Sequence, residues 1–316
     1  MPELSLVVPC YNEEKSIHPF INEFLKIRDR LPSTEIIFVN DGSTDRTYEV
    51  IADLKNFYPD ISFDVKQVIL SRNFGHQMAL LAGMKNADGN ACVTIDVDQQ
   101  DPLELIIEMV EKWHSGYNIV LGKRIDRSSD SFFKRTTAHI FYKFMGYLTA
   151  TKGSSGFPEH VGDFRLIDRT VLNILVNIRE IEPYWRGLVA WIGFKKTEVG
   201  YSRKERFTGE TKYSFSKMLA LAMTAVFSFS KKPLYLSSML GILVSGASLL
   251  VLLSYLILKI SNQGSFITGW MSIVSVITLL GGMQLFCLGI IGQYIGRIYE
   301  QVIQRPNVII DRVEKL

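Results

Sequence analysis

Apolar and polar positions alternate in two rhythms along the first 230 residues. Strand-length runs rich in β-branched residues stand at Leu4–Val8, Glu35–Val39, Val65–Leu70, Ala91–Ile95 and Asn118–Leu121. Helix-length segments fill the intervals at Glu13–Leu31, Thr44–Phe57, His76–Ala87 and Pro102–His114. Strands alternating with helices predict an α/β domain, a Rossmann-like, mostly parallel sheet covered on both faces. In such a sheet ligands bind outside the carboxyl ends of the strands, where the strand order reverses.

The pattern changes after Lys231-Lys232. No residue is charged from Pro233 to Leu258, and after Lys259 none is charged until Arg297. Each run exceeds the roughly 20 residues a helix needs to cross a bilayer, so the reading is two transmembrane helices, 233–258 and 270–296, parted by the polar Ser261-Asn262-Gln263-Gly264-Ser265. Two buried helices of a soluble protein are the alternative, a poor match for uncharged runs of this length. Residues 214–232, rich in Phe, Met, Leu and Ala, read as an interfacial amphipathic helix. That leaves 1–213 as the globular domain and 297–316 as a C-terminal tail. Lys231, Lys232, Arg297 and Arg305 flank the spans, which by the positive-inside rule predicts an inner or plasma membrane protein with its globular domain and both termini in the cytoplasm. The first residues, Met1-Pro2-Glu3-Leu4-Ser5, lack the basic n-region of a signal peptide.

With 316 residues, 47% of them hydrophobic, the chain exceeds one average domain, in keeping with that division. Its three cysteines, Cys10, Cys92 and Cys287, fall in strand-like or apolar runs and read as buried free thiols of a reducing compartment. No nucleic-acid partner is expected. In the second span Gly289, Gly292 and Gly296 permit close helix packing, a weak pointer to a homo-oligomer.

Four polar clusters lie where the strand-like runs end: Pro9-Cys10-Tyr11-Asn12-Glu13-Glu14, Asn40-Asp41-Gly42-Ser43-Thr44-Asp45, Ser71-Arg72-Asn73-Phe74-Gly75 and Asp96-Val97-Asp98-Gln99-Gln100-Asp101-Pro102. Carboxylates two apart, delivered by a strand into a turn, suit Mg²⁺ or Mn²⁺ shared with substrate phosphates. Each cluster has a plainer reading. Asp101-Pro102 caps a helix well, Asn12-Glu13-Glu14 and Asp41-Gly42-Ser43-Thr44-Asp45 are good turn-and-cap chemistry, and Arg72 could be a surface charge. Four on one rim favour a site over unrelated turns. Neither Gly-x-Gly-x-x-Gly nor a P-loop is present, so phosphates would be held by metal and basic side chains. Cations are supplied by Lys123-Arg124, Arg127, Lys134-Arg135 and the stretch Arg206 to Lys212; Lys134-Arg135 could equally anchor a membrane surface.

These clusters, together with Gly162-Asp163-Phe164-Arg165-Leu166-Ile167-Asp168-Arg169 and Arg206-Phe207-Thr208-Gly209-Glu210-Thr211-Lys212-Tyr213-Ser214, resemble the successive motifs of family 2 glycosyltransferases. With two C-terminal spans, the chain looks like a polyisoprenyl-phosphate glycosyltransferase: a bactoprenol glucosyltransferase of the GtrB type and, more distantly, a dolichol-phosphate mannose synthase. The resemblance covers essentially the whole chain. It implies a GT-A catalytic domain on a two-helix anchor and a metal-dependent, inverting transfer of a hexose, glucose from UDP-glucose in the first instance, to polyprenyl phosphate. GDP-mannose or a modified UDP-sugar is the alternative donor. In the resemblance Pro9, Tyr11, Glu13, Asp41 and Arg72 hold the nucleotide, Asp96 and Asp98 bind the cation, and Gln100 joins them in some relatives. Asp163 is the acidic group near the reacting sugar. Arg206 and Lys212 are mobile acceptor-loop cations. The supply of cations along the chain, apart from the resemblance, assigns Arg124, Arg127 and Arg135 to the acceptor phosphate. Gln99 departs from the pattern, which often has an apolar residue there. The Gln-x-x-Arg-Trp motif of processive synthases is missing, and Tyr184-Trp185-Arg186-Gly187 bears only a faint likeness to it. A non-catalytic membrane scaffold or flippase component is the alternative from another class. The joint presence of Asp96, Asp98, Asp163 and Arg206 argues against it.

Overall fold

The computed structural model describes residues 2–59, 63–125, 161–180, 183, 185–202, 232–260 and 270–316. Arg127, Arg135, Arg206 and Lys212, and the expected interfacial helix up to residue 231, lie outside the described residues. The chain divides into two compact units, one of Met1–Ser214 with Arg305–Leu316, the other of Phe215–Gln304.

The first unit is built on an eight-stranded sheet: β1 Leu4–Cys10, β2 Thr34–Asn40, β3 Asp64–Leu70, β4 Ala91–Thr94, β5 Ile119–Arg124, β6 Val161–Asp168, β7 Lys196–Tyr201 and β8 Ile310–Lys315, in the order β7-β5-β6-β4-β1-β2-β3-β8. The pairs β1–β2, β1–β4, β2–β3 and β5–β7 are parallel, and only β6 and β8 run against the rest. The sheet is therefore mostly parallel, as the alternation of elements predicts. Every residue of β1, β2 and β4 is buried, as expected of strands covered on both faces. Helix α1, Ile17–Ile27, turns Ile17, Phe20, Ile21, Phe24 and Ile27 inward at helical spacing, and Phe20 meets Phe38 of β2 edge-on. Helices α2 (Thr47–Ala52), α3 (Leu54–Phe57), α4 (His76–Lys85), α5 (Leu105–His114), α6 (Arg169–Leu175) and α7 (Trp185–Trp191) are the other α-helices among the described residues of the unit. The strand order reverses at β1, with β2 on one side and β4 on the other.

Three strands, β6, β7 and β8, were not predicted; β7 takes its extended form by pairing with β5, with Val120 opposite Thr197. β6 reads in sequence as a polar motif, and its extended form comes from pairing with β4 and β5 (Thr94 opposite Arg165, Val120 opposite Leu166). β8 lies in the segment expected as a tail. Its charged sequence gives no strand signal, yet it pairs with β3, with Val313 opposite Val68, and places Asp311, Arg312, Glu314 and Lys315 on the sheet edge. Charge there discourages pairing with further chains.

The second unit holds α8, Lys232–Ile260, and α9, Trp270–Ile303, which pack on each other; the Cys287 thiol approaches the Ser237 carbonyl at 3.6 Å. Helix α9 runs past the expected end at residue 296. Leu243, Leu250, Ile257, Ile277, Phe286 and Ile295 are exposed. Among the described residues one stretch, Leu279–Ile303, meets the length and apolarity of a membrane span, with mean hydropathy 1.4; the apolar stretch Leu234–Val244 is shorter. Among the described residues one of the two expected spans therefore meets both criteria.

Candidate active site

The loops leaving β1, β2 and β3 form one interlocked rim. Asn12, with a left-handed φ of 56°, donates from its backbone to Ser43 Oγ at 3.0 Å and accepts Thr44 N–H at 2.8 Å. Glu13 N–H donates to Thr47 Oγ1 at 2.9 Å, while the Glu13 carboxylate accepts the Ser16 hydroxyl at 2.6 Å. Asp41 is buried, and its carboxylate accepts the backbone N–H of Phe74 at 2.7 Å and of Gly75 at 2.9 Å. Burial pushes the Asp41 carboxyl up, against the pull of those two amides and of His76 and Arg72. Gly42 has φ +62°, and a Cβ there would fall 2.5 Å from the backbone of Arg72 and Asn73, so this turn demands glycine. Tyr11 is 41% exposed, and the Arg72 guanidinium lies 4.0 Å from the centroid of the Phe74 ring. An aromatic, a cation and backbone groups at one rim can receive a base, a ribose and a phosphate.

The other half of the rim is acidic. Because β6 runs against β4 with Arg165 opposite Thr94, Asp163 falls beyond the carboxyl end of β4, beside Asp96. The Thr94 hydroxyl donates to the Asp163 carbonyl. His76, at the start of α4, sets Nε2 3.7 Å from Asp96 Oδ1 and 3.6 Å from Asp163 Oδ2. Burial works against charge on His76, but Asp163 and Asp96 outweigh it and raise its pKa to about 9. Asp96 itself is pushed up to about 6, first by burial and then, with His76 opposing, by Asp101, Asp98 and Asp163. Asp163 goes the other way. Burial would raise it, yet Arg186, His76 and Arg165 together hold its carboxyl well below the usual range.

Asp98 Oδ1 accepts the backbone N–H of Gln100 at 3.1 Å, and Gln100 is buried. Gln99 bridges them with a left-handed φ of 57°. Asp101 is buried and accepts the Tyr201 hydroxyl at 2.5 Å, which in turn accepts Arg124 Nε at 3.3 Å. Arg124 Nη2 lies 3.3 Å from where a Cβ on Gly162 would stand, so this guanidinium sits with Tyr201 and Asp101, on the face of β6 opposite to the Asp163 side chain. Among the described residues no group of three His, Cys, Asp or Glu is gathered for a metal. Two hard carboxylates, Asp96 and Asp98, amid like charge nonetheless fit a Mg²⁺ or Mn²⁺ completed by substrate phosphates.

The structure thus brings Asp96, Asp98, Gln100, Asp163 and Arg124 to one half of the rim, and Tyr11, Glu13, Asp41 and Arg72 to the other; Pro9 ends β1 beneath them. Sequence reasoning missed His76, Gln77, Arg165, Arg186 and Tyr201. His76 and Gln77 directly follow the Ser71–Gly75 cluster, Arg165 lies within the Gly162–Arg169 motif and Arg186 sits in the Tyr184–Gly187 stretch, so weak signals existed for four of them.

Residues 5–175 match the model of glycosyl transferase family 2. The chain belongs to this family. As a family 2 glycosyltransferase it is 45% identical over 311 residues to the glycosyltransferase YkcC of Bacillus subtilis (strain 168), covering 98% of this chain and 94% of that one. It is 38% identical over 316 residues to the prophage bactoprenol glucosyl transferase homolog of Escherichia coli (strain K12), covering 99% and 100%, and 38% identical over 311 residues to the bactoprenol glucosyl transferase of Shigella phage SfII, covering 98% of each. Among solved structures this family 2 chain is similar to glucosyl-3-phosphoglycerate synthase from Mycobacterium tuberculosis in complex with Mn²⁺, UDP and phosphoglyceric acid, with TM-score 0.46, 18% identity and coverage of 72% and 76%.

Proposed function

We propose that this enzyme transfers glucose from UDP-glucose to polyprenyl phosphate, with inversion, at the cytoplasmic face of the membrane. The observation that carries this reading is the near full-length likeness to bactoprenol glucosyl transferases. Tyr11, Arg72 and the loop held by Asp41 receive the nucleotide. Asp96 and Asp98 hold Mg²⁺ or Mn²⁺, which would neutralise the leaving diphosphate. The acceptor, a phosphate monoester with a second pKa near 6, is largely ionised at neutral pH and needs no strong base. Accordingly Asp163, held as a carboxylate by its cations, orients the acceptor or sugar and stabilises charge as the transition state forms. Arg124, Arg127 and Arg135 meet the acceptor phosphate, and Arg206 and Lys212 close over the diphosphate. Helices α8 and α9 both cross the bilayer, with the segment 214–232 at the interface.

The test is transfer of label from radiolabelled UDP-glucose, UDP-galactose and GDP-mannose, in membranes, into butanol-extractable lipid. Label from UDP-glucose alone is expected. Label from another donor corrects the sugar, and no label from any of them overturns the reading.

A further inference from the structure

Asp163 is held from three elements at once. Arg165, two residues along the same strand, gives Nη2 to Oδ1 at 2.5 Å; Gln77 on α4 gives Nε2 to Oδ2 at 3.3 Å; Arg186 on α7 spans both oxygens, with Nη2 3.1 Å from Oδ2 and Nε 3.4 Å from Oδ1. The two guanidinium groups differ. The side chain of Arg165 is 2% exposed and comes from the same strand as Asp163. That of Arg186 is 31% exposed and arrives from a separate short helix.

The aim of Arg186 is set by its neighbour. Trp185 is buried beside a small cavity lined also by Leu80, Met84, Ile167 and Val189, and its indole N–H donates to the Gln77 carbonyl at 3.0 Å. One docked ring thus ties α7 to α4 where α4 presents His76 and Gln77. Arg165, and His76 at 3.6 Å, already face this nearly buried carboxylate, so a further cation is costly as a stability device. A guanidinium spanning both oxygens does something the first contact does not: it stops rotation of the carboxylate.

We propose that Arg186 is a positioning residue for the transfer reaction, carried on α7 to fix the direction of the Asp163 carboxylate and acting through that carboxylate. This rests on the reading of Asp163 as the acidic group beside the reacting sugar. A group misplaced by about 1 Å loses on the order of 100-fold in rate, which sets the scale of the effect.

A double-mutant cycle on the full chain tests it, using Arg186→Gln, Asp163→Asn and the pair. It is read on transfer into lipid phosphate and, separately, on slow hydrolysis of the same nucleotide sugar to free sugar. Arg186→Gln is expected to lower kcat roughly 100-fold with donor KM within about twofold, Arg186→Lys to recover part of the loss, and the double variant to be no slower than Asp163→Asn alone. Losses that multiply in the double variant, or a raised donor KM at unchanged kcat, overturn the proposal, because Arg186 would then act on the substrate itself. Should Arg186→Gln not fold, Trp185→Phe leaves a smaller aromatic ring in place and removes the indole N–H. A smaller kcat loss that disappears in the Asp163→Asn background is expected, and one that persists overturns the proposal. Coupling in hydrolysis without label in lipid would retain the role of Arg186 and remove the acceptor class; lipid labelling without coupling would do the reverse.

Discussion

Asp41, at the end of β2, holds the loop after β3 by accepting the N–H groups of Phe74 and Gly75 at 2.7 and 2.9 Å. The residue expected to touch nucleotide is thereby also the clamp that sets Arg72 and the start of α4. Asp41→Asn turns one acceptor into a donor facing an amide. A cost of about 1–3 kcal/mol in stability is expected, with a raised donor KM. Thermal unfolding of the isolated variant, with KM measured alongside, checks this; an unchanged melting temperature would show the clamp is dispensable.

Gly42→Ala tests the same joint from the backbone side. A methyl 2.5 Å from the Arg72 and Asn73 backbone, on a residue at φ +62°, forces one loop to move. The expected loss exceeds about 1 kcal/mol and is accompanied by weaker donor binding in calorimetry. Wild-type affinity would mean the two loops move independently.

Metal removal is the third test. EDTA should silence transfer and Mn²⁺ or Mg²⁺ restore it, while Asp98→Asn should cost at least tenfold in kcat, roughly 1.4 kcal/mol, with the fold retained by circular dichroism. Full turnover in EDTA would remove the metal from the mechanism.

A fourth concerns pH. Asp168 caps α6 by accepting Thr170 N–H at 2.9 Å and also accepts the Trp113 indole N–H at 2.9 Å. Burial raises the carboxyl, but these donors outweigh it and leave its pKa lowered. A lowered folded pKa contributes stability above the unfolded value of about 3.9 and loses it as pH falls through the folded value. Asp168→Ala should cost about 1 kcal/mol at neutral pH. Asp168→Asn should flatten the stability curve below about pH 4. Denaturation curves at several pH values that run parallel for wild type and Asp168→Asn would contradict the linkage.

The fifth prediction addresses β8. A chain ending at Asn307 removes the strand that covers β3 and the contact of Glu314 with the Tyr48 hydroxyl at 3.2 Å. Lower thermal stability and concentration-dependent association are expected, because β3 becomes a bare edge. Light scattering that stays monodisperse would show that the edge is protected otherwise.

The sequence alone determined the alternation of strands and helices, the polar rim at the strand ends and the acidic pair Asp96 and Asp98. Periodicity and turn chemistry are local, and each is encoded within a dozen residues. The resemblance then singled out Asp163, and the supply of cations along the chain offered Arg124. The tertiary structure alone decided what surrounds them. Asp163 meets His76 and Gln77 from 86–87 positions earlier and Arg186 from 23 later, because an antiparallel β6 slots between β4 and β5. No local pattern in Val161–Asp168 specifies that slot. β8 was equally illegible: its strand form comes from the open hydrogen-bonding edge of β3, a partner more than 200 residues away, and not from its own charged residues.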